Sequence, residues 1–382
     1  MSRGVKKDRG RVAVAMSGGV DSSLAALLLA EEGYEVIGFT LLLHDEGERG
    51  SSEAVSKNRC CGSADMVARA RQAALKAGGH HHVIDGRPEF EAMVISDFVQ
   101  EYAAGRTPNP CVRCNTWLKW GFLREKAGEF GAHYFATGHY ARVVRTGETA
   151  WGLTSGVDPL KDQSYALWGI PGNLLATTLL PIGALTKEEV RTLAARMGLK
   201  AAGVPDSQDI CFIIGDDYRV FLEQRVGLEG SRDLARALEP GKIIDREGNV
   251  LGSHGGVARY TVGQRHGLGI AGGQPLYVER LEPENRVVVM GDGSGLLSNT
   301  LRATDVNWVS IDTLSKAIRA EVRIRYNGDS APALITPEGT GAFRVTFDEP
   351  QRAVTPGQSA VVYDGEIVLG GGVIAEEVRT DA

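Results

Sequence analysis

The sequence predicts an α/β chain: a parallel sheet in its first half, and a small barrel or sandwich of short strands towards its end. Three observations carry this. Short apolar runs alternate with helical ones up to about residue 140. A glycine-serine turn, AMSGGVDSS (15–23), leaves the first strand and enters the first helix. Beyond about residue 240, glycines and short alternating runs take over. Strands alternating with helices imply crossovers on the faces of a parallel sheet. Short, closely spaced strands imply a small barrel or sandwich.

Each element has a local reason. RVAVAM (11–16) is a continuous apolar run bounded by polar residues, as in a strand buried on both faces. SSLAALLLAEE (22–32) reads as a helix closed by Gly33, which suits a left-handed cap. EVIGFTLLL (35–43) is a second buried strand. ADMVARARQAALKA (64–77) is a helix ending at Gly78-Gly79, followed by a strand at 81–84 and a long helix near 88–103. A loop carrying NPCVRCN (109–115) leads to a helix over 116–130 and a strand at 133–137. Thr186 and Glu189 form a capping box that starts a helix over 187–197, and Gly198 stops it. A further helix is expected over 217–226. Later strands are expected at 286–290, 317–326, 331–336, 343–348, 361–363 and 366–369, with GDGSGLLSN (291–299) as a boundary. The three histidines at 80–82 sit on a strand, where neighbours face opposite ways, so they do not converge on one ion.

With 382 residues, 43% of them hydrophobic, the chain has room for two or three domains. No run of eighteen apolar residues appears, which excludes a helical membrane span. The opening MSRGVKKDRGR has no apolar core of a secretion signal, so a cytoplasmic protein with no membrane partner is expected. The net charge of −6 weighs against nucleic acid as partner. Arg106, Arg113, Lys119, Arg124 and Lys126 nevertheless gather around the cysteine loop.

AMSGGVDSS places Gly18 and Gly19 where a backbone can approach an anion without a Cβ in the way. The loop N–H groups and the helix N-terminus then face that anion. Ser17, Ser22 and Ser23 add hydroxyl donors. Asp21 would repel phosphate unless it holds Mg²⁺ or orients the loop. No lysine follows the glycines, so this is not a GxxxxGK[ST] loop. ATGHY (136–140) follows another strand and brings Gly138 and His139 to the carboxyl edge of the sheet, where ligands of such folds bind.

The five cysteines are Cys60, Cys61, Cys111, Cys114 and Cys211. A chain this long needs no staples, so the clustering points to catalysis or metal more than to a disulfide framework. Cys114 lies ahead of a predicted helix and near Arg113 and Lys119, conditions that favour a thiolate. Two thiols acting in turn suit sulfur transfer: one carries a persulfide, the other attacks it and leaves a disulfide.

SGGVDSS resembles the PP-loop of the ATP pyrophosphatases, which split ATP between its α and β phosphates and adenylate a carbonyl oxygen. Six more stretches follow in order: GRTPNPCVRCN (105–115), ATGHYAR (136–142), KDQSYAL (161–167), PDSQDICFI (205–213), TVGQRHGLGI (261–270) and TPGQSAVVYDGEIVLGGGVI (355–374). With them the chain resembles the bacterial tRNA-uridine 2-sulfurtransferases over nearly its whole length. The resemblance implies a Rossmann-like adenine-nucleotide α-hydrolase domain over 1–212, a central tRNA-contacting module over 213–292 and a β-barrel over 293–382. It implies ATP and Mg²⁺, with Ala15, Met16, Ser17, Gly18, Gly19, Val20, Asp21 and Ser22 on the phosphates and Leu41 and Gly138 near the nucleotide. Cys114 matches the family nucleophile and Cys211 the persulfide carrier. Asn109, Pro110 and Cys111 would meet the target base; Lys161, Asp162, Gln163, Arg325 and Tyr326 would touch tRNA. The implied reaction is 2-thiolation of the wobble uridine of the Lys, Glu and Gln tRNAs, with sulfur from a donor protein, a cysteine desulfurase or sulfur relay protein.

Two departures stand out. Many members of that family have Asp where this chain has Cys111, so the proton handling given to that Asp is unfilled or changed here. Ala166 replaces the usual Phe. Cys111, Cys114 and Cys211 also have the CxxC-plus-distant-partner pattern of [4Fe–4S] ligands. Structural zinc, with His139 or Cys60 as fourth ligand, is a third reading. Two other functions remain open on the residues alone: a PP-loop ligase or amidotransferase acting on a small metabolite, and a non-catalytic tRNA-binding protein.

Overall fold

The computed structural model describes residues 9–44, 63–199, 210–213, 217–228, 231–270 and 275–376. Cys60, Cys61 and the 205–209 part of PDSQDICFI lie outside them. The first half supplies strands Arg11–Ala15 (β1), Glu35–Leu42 (β2), His80–Asp85 (β3), Tyr134–Ala136 (β4), Ala141–Arg145 (β5), Trp151–Ser155 (β6) and Thr178–Leu179 (β7). Five of them form a parallel sheet in the order β3-β2-β1-β4-β7. The order reverses between β1 and β4, which opens a crevice at their carboxyl ends.

The side-chain period of two divides β1 between two cores. Val12 and Val14 face Val20–Glu32 (α1), Ala64–Lys76 (α2) and Lys187–Arg196 (α5). Ala13 faces the opposite layer, built by α3 (residues 87–103) and α4 (residues 110–129). Helix α1 is apolar almost all round because sheet and helices cover it; Leu24, Ala25 and Ala26 are fully buried. Gly33, at φ 97°, ends it as expected. The capping box of α5 is present with both bonds: Thr186 Oγ1 accepts from Glu189 N–H, and the Glu189 carboxylate from Thr186 N–H.

Both α3 and α4 contain π-helical stretches, Glu91–Ile95 and Cys114–Leu123. The wider i→i+5 turn keeps Leu118 and Leu123, five residues apart, on one buried face. Helix α4 also starts earlier than its apolar pattern suggests. Asn109 caps it, accepting from Val112 N–H at 3.3 Å, and Pro110 takes the first position, where no donor is needed. Cys114 therefore lies within the helix, not in a loop ahead of it.

The second half begins with Tyr218–Arg225 (α6) and Arg232–Ala237 (α7), then Gly241–Ile244 (β8), Val250–His254 (β9), Tyr277–Glu282 (β10) and Val287–Gly291 (β11). These strands form a four-stranded sheet in the order β10-β11-β8-β9. The last strands are Leu297–Asn307 (β12), Ile318–Arg323 (β13), Ala331–Pro337 (β14), Ala342–Arg352 (β15), Ser359–Asp364 (β16) and Ile367–Glu376 (β17). They run in the order β12-β15-β14-β13-β16-β17, and β17 pairs back onto β12 to close the barrel. The hairpin β5–β6, from the first half, joins this sheet through Ile367↔Thr154 and Val368↔Leu153. The sequence reading missed that hairpin and three strands of the central sheet, β8, β9 and β10; the strand expected at 286–290 is β11.

The loop before α4 is fixed by the barrel. Thr107 N–H donates to Pro356 O at 2.8 Å, and the Gln358 amide donates to Thr107 O and Pro108 O at 2.8 and 3.2 Å. Gly357, at φ 91°, lets the chains touch: a Cβ there would lie 2.8 Å from Thr107 N and O. Gly357→Ala should therefore lower stability by more than about 2 kcal/mol in urea unfolding, the sum of left-handed strain and the clash. Gly78→Ala is the control, at φ 79° with open space around it, and should cost only the backbone strain, about 1–2 kcal/mol.

Candidate active site at the sheet edge

The phosphate-loop geometry follows from close contacts on both sides. Gly18, at φ 75°, lies against α2, where a Cβ would stand 2.2 Å from Met66 O. Arg69 Nε donates to Gly18 O at 3.1 Å. Inside the loop, Ser17 N–H donates to Ser22 Oγ at 3.2 Å, and Ser17 Oγ lies 3.5 Å from Gly19 N. Thr40 Oγ1 donates to Met16 O at 2.7 Å. Gly138, after β4, presses on the start of α1: a Cβ there would lie 2.5 Å from Ser22 N. The structure thus brings 15–22 and Gly138 together at the crevice. Leu41, buried near the end of β2, packs in the layer of α3.

Asp21 is held by two groups that sequence reasoning missed. Lys187 Nζ lies 2.9 Å from each carboxylate oxygen, and Tyr140 OH donates to Oδ1 at 2.8 Å. Tyr140 could have been found, since it follows Gly138 in ATGHY. Lys187 gave no signal, because a lysine just after a capping threonine reads as solvent-facing. The path continues: Gln163 Oε1 accepts from Tyr140 N–H at 3.0 Å. Asp162 accepts from Gly156 N–H, Ser164 N–H and Ser164 Oγ at 2.9–3.1 Å, and from barrel Arg323 at 3.3 Å. Asp162 and Gln163 are therefore tied into the protein, while Lys161 beside them is partly exposed.

A second polar chain runs under the cysteine helix. Asn115, 2% exposed, donates to Ala166 O at 2.9 Å and accepts from Lys119 Nζ at 2.8 Å. Lys119 Nζ lies 3.5 Å from His139 Nε2, and His139 Nδ1 lies 2.7 Å from Thr137 Oγ1. Arg113 is bound to Asp305 at 2.5 Å and Asp97 at 3.5 Å and stacks on Trp117. Burial raises the Asp97 pKa, and Arg113 opposes that rise. Both cations expected to favour the thiolate are thus bonded to other groups. Cys114 and Cys211 are half-buried and pack against the same core, beside which Phe212 meets Phe90 and Phe98. Cys111 is exposed, one turn before Cys114. Burial and the charges of Asp162 and Cys111 raise the Tyr326 pKa, so the barrel tyrosine stands near the cysteine helix. Arg325, exposed beside it, donates to Arg352 O at 2.6 Å.

Among the described residues, no three His, Cys, Asp or Glu side chains come close enough to hold a metal ion together. Cys111, Cys114 and Cys211 are thus not gathered into a ready ligand set among the described residues, and His139 is engaged by Thr137 and Lys119. Among the described residues, no helix is long and apolar enough to cross a membrane.

A family model described as "tRNA methyl transferase HUP domain" matches residues 10–215. The "tRNA-specific 2-thiouridylase MnmA" of Acetivibrio thermocellus is 45% identical over 365 residues, 95% of this chain and 99% of the relative. That of Geotalea uraniireducens is 46% identical over 372 residues, 97% and 96% of the two chains. The chain belongs to the tRNA-specific 2-thiouridylase family. In this family member a "PRC-barrel domain" model matches 233–292 and an "Aminomethyltransferase beta-barrel domain" model matches 298–374, which are the central sheet and the closed barrel. The crystal structure of a 4-thiouridine synthetase–RNA complex with bound ATP aligns over 57% of this chain and 50% of that chain, at 18% identity and TM-score 0.32.

The buried histidines give this 2-thiouridylase an acid-sensitive fold. Burial and Lys119 hold the His139 pKa well below its ordinary value, and burial with Arg71 lowers that of His81 to about 4. The unfolded chain then takes up these protons first. Stability is whole above about pH 6.5 and is lost as pH falls from there toward the folded values. Urea unfolding should show a loss of about 1–3 kcal/mol between pH 7.5 and 5, with His139→Asn flattening the slope.

Proposed function

We propose that this enzyme uses ATP to adenylate O2 of the wobble uridine of Lys, Glu and Gln tRNAs and then replaces that oxygen with sulfur. The observation that supports the reading is a phosphate loop at the switch point of the sheet in a chain whose Cys114 and Cys211 are both half-buried against one core. A carbonyl oxygen of uracil is a poor leaving group; AMP is a good one. O2 attacks the α-phosphorus of ATP, and the bond to pyrophosphate breaks. The phosphate end of ATP, with its Mg²⁺, would lie against the backbone of the loop and the start of α1. Asp21 is occupied by Lys187 and Tyr140, so it acts on loop shape and charge, not as the first choice of metal ligand.

The sulfur arrives as a persulfide on Cys211, delivered by a donor protein such as a cysteine desulfurase or sulfur relay protein. Its terminal sulfur attacks C2 of the adenylated base. The Cys114 thiolate then attacks Cys211 Sγ, the sulfur–sulfur bond breaks toward the base, AMP leaves, and 2-thiouridine forms. A Cys114–Cys211 disulfide remains, and a thiol reductant supplies two electrons to reopen it. The target base must leave its stack to reach the crevice. Asn109, Pro110 and Cys111 at the helix start and Lys161, Arg325 and Tyr326 on the exposed rim are the contacts proposed for base and RNA.

With substrate tRNA, ATP and a persulfide donor, the wild type should form one AMP per 2-thiouridine, read by nucleotide chromatography and organomercury gel retardation. Cys114→Ser and Cys211→Ser should each lose at least about 100-fold in thiolation, on the scale of removing a nucleophile. Both should keep tRNA-dependent pyrophosphate release. A Cys114→Ser/Cys211→Ser double variant that thiolates at the wild-type rate would rule out the relay.

A further inference from the structure

We infer that Lys187 is the cation that receives the pyrophosphate end of ATP, a role the phosphate loop itself leaves unfilled. The inference rests on the ATP reading above and adds a residue to it. The loop contains no lysine, and its one charged side chain, Asp21, has the wrong sign for a phosphate site. The cation comes instead from α5, far along the chain. Lys187 Nζ sits 2.9 Å from both oxygens of Asp21, and the lysine side chain is only 12% exposed. Its surroundings are built to aim it. The capping box fixes the start of α5, the Lys187 backbone N–H donates to Asp158 at 2.9 Å, and the ammonium lies 5.6 Å from the Tyr140 ring centre.

The position is a poor one for a cation on general grounds. Lys187 is the first residue of a helix, at the positive end of its dipole, where an anion is preferred. Burying an ammonium there is stabilising only with a negative partner. Asp21 supplies that partner before ATP arrives, and it cancels the charge that would otherwise repel phosphate. When the nucleotide enters, its phosphates compete with Asp21 for the ammonium. As O2 attacks the α-phosphorus, negative charge grows on the departing pyrophosphate, and Lys187 can neutralise it without losing its proton. Nothing in this role touches the adenosine or the α-phosphate of AMP, which gives it a distinctive signature.

The test is nucleotide affinity by calorimetry, with the full chain and Mg²⁺ and without tRNA. Lys187→Met should weaken ATP about tenfold or more while AMP affinity changes less than about twofold, and Lys187→Arg should recover part of the ATP loss. Equal weakening of ATP and AMP would mean that the lysine only shapes the loop, and unchanged ATP affinity would mean that it does not meet phosphate; either overturns the proposal. Should the single variant melt early because Asp21 is left unpaired, Lys187→Met/Asp21→Asn removes both charges, and the same ATP-to-AMP ratio decides. A wild type that binds ATP but forms no AMP with tRNA would overturn the thiolation reading and leave this ratio intact. A wild type that binds no ATP would overturn both.

Discussion

The approach of Gly138 to the first turn of α1 is the constraint on which the sheet edge of the candidate site depends. A side chain there would meet the backbone of Asp21 and Ser22 at 2.5–2.9 Å. Only glycine lets the end of β4 lie against the start of the helix that follows β1. Gly18 makes the matching approach on the other side, against Met66. Pinned from both flanks, the loop is held in one shape beside the crevice. Such preorganisation spares the reaction the cost of ordering the loop.

Charge is arranged with the same economy. The polar path from Lys187 through Asp21 and Tyr140 reaches Gln163, whose chain neighbour Asp162 accepts from Arg323 of the barrel. A second path joins the cysteine helix to His139 through Asn115 and Lys119. The nucleotide edge, the cysteine helix and the barrel are thus parts of one hydrogen-bonded body. Removing one member strands a buried partner, which costs more than the bond alone.

Much of the first domain was legible because its signals are local. The strands 11–16 and 35–43, the closing Gly33 and the Thr186–Glu189 box depend on a few neighbouring residues. Sequence motifs also marked the phosphate loop, Gly138 and the two separated thiols. What was not legible depends on distant partners. The hairpin at 141–155 has no strong alternation, and it is a strand pair because β17 takes its edge. The early start of α4 was hidden because NPCV looks like a turn until Asn109 is seen to cap it. Lys187 carried no local signal, since its acidic partner, Asp21, lies far away along the chain, in the opening loop.

The β5–β6 hairpin has a consequence for biogenesis. Its partner strand, β17, follows the whole central module and five barrel strands, so the ribosome must make all of these before the hairpin can dock. Pairings between segments so far apart are slow to form and leave unsatisfied edges exposed in the meantime. An isolated N-terminal fragment would retain this orphan edge, and an isolated barrel would lack two strands of its sheet. Gene fission between nucleotide-handling and barrel halves is therefore disfavoured by topology alone.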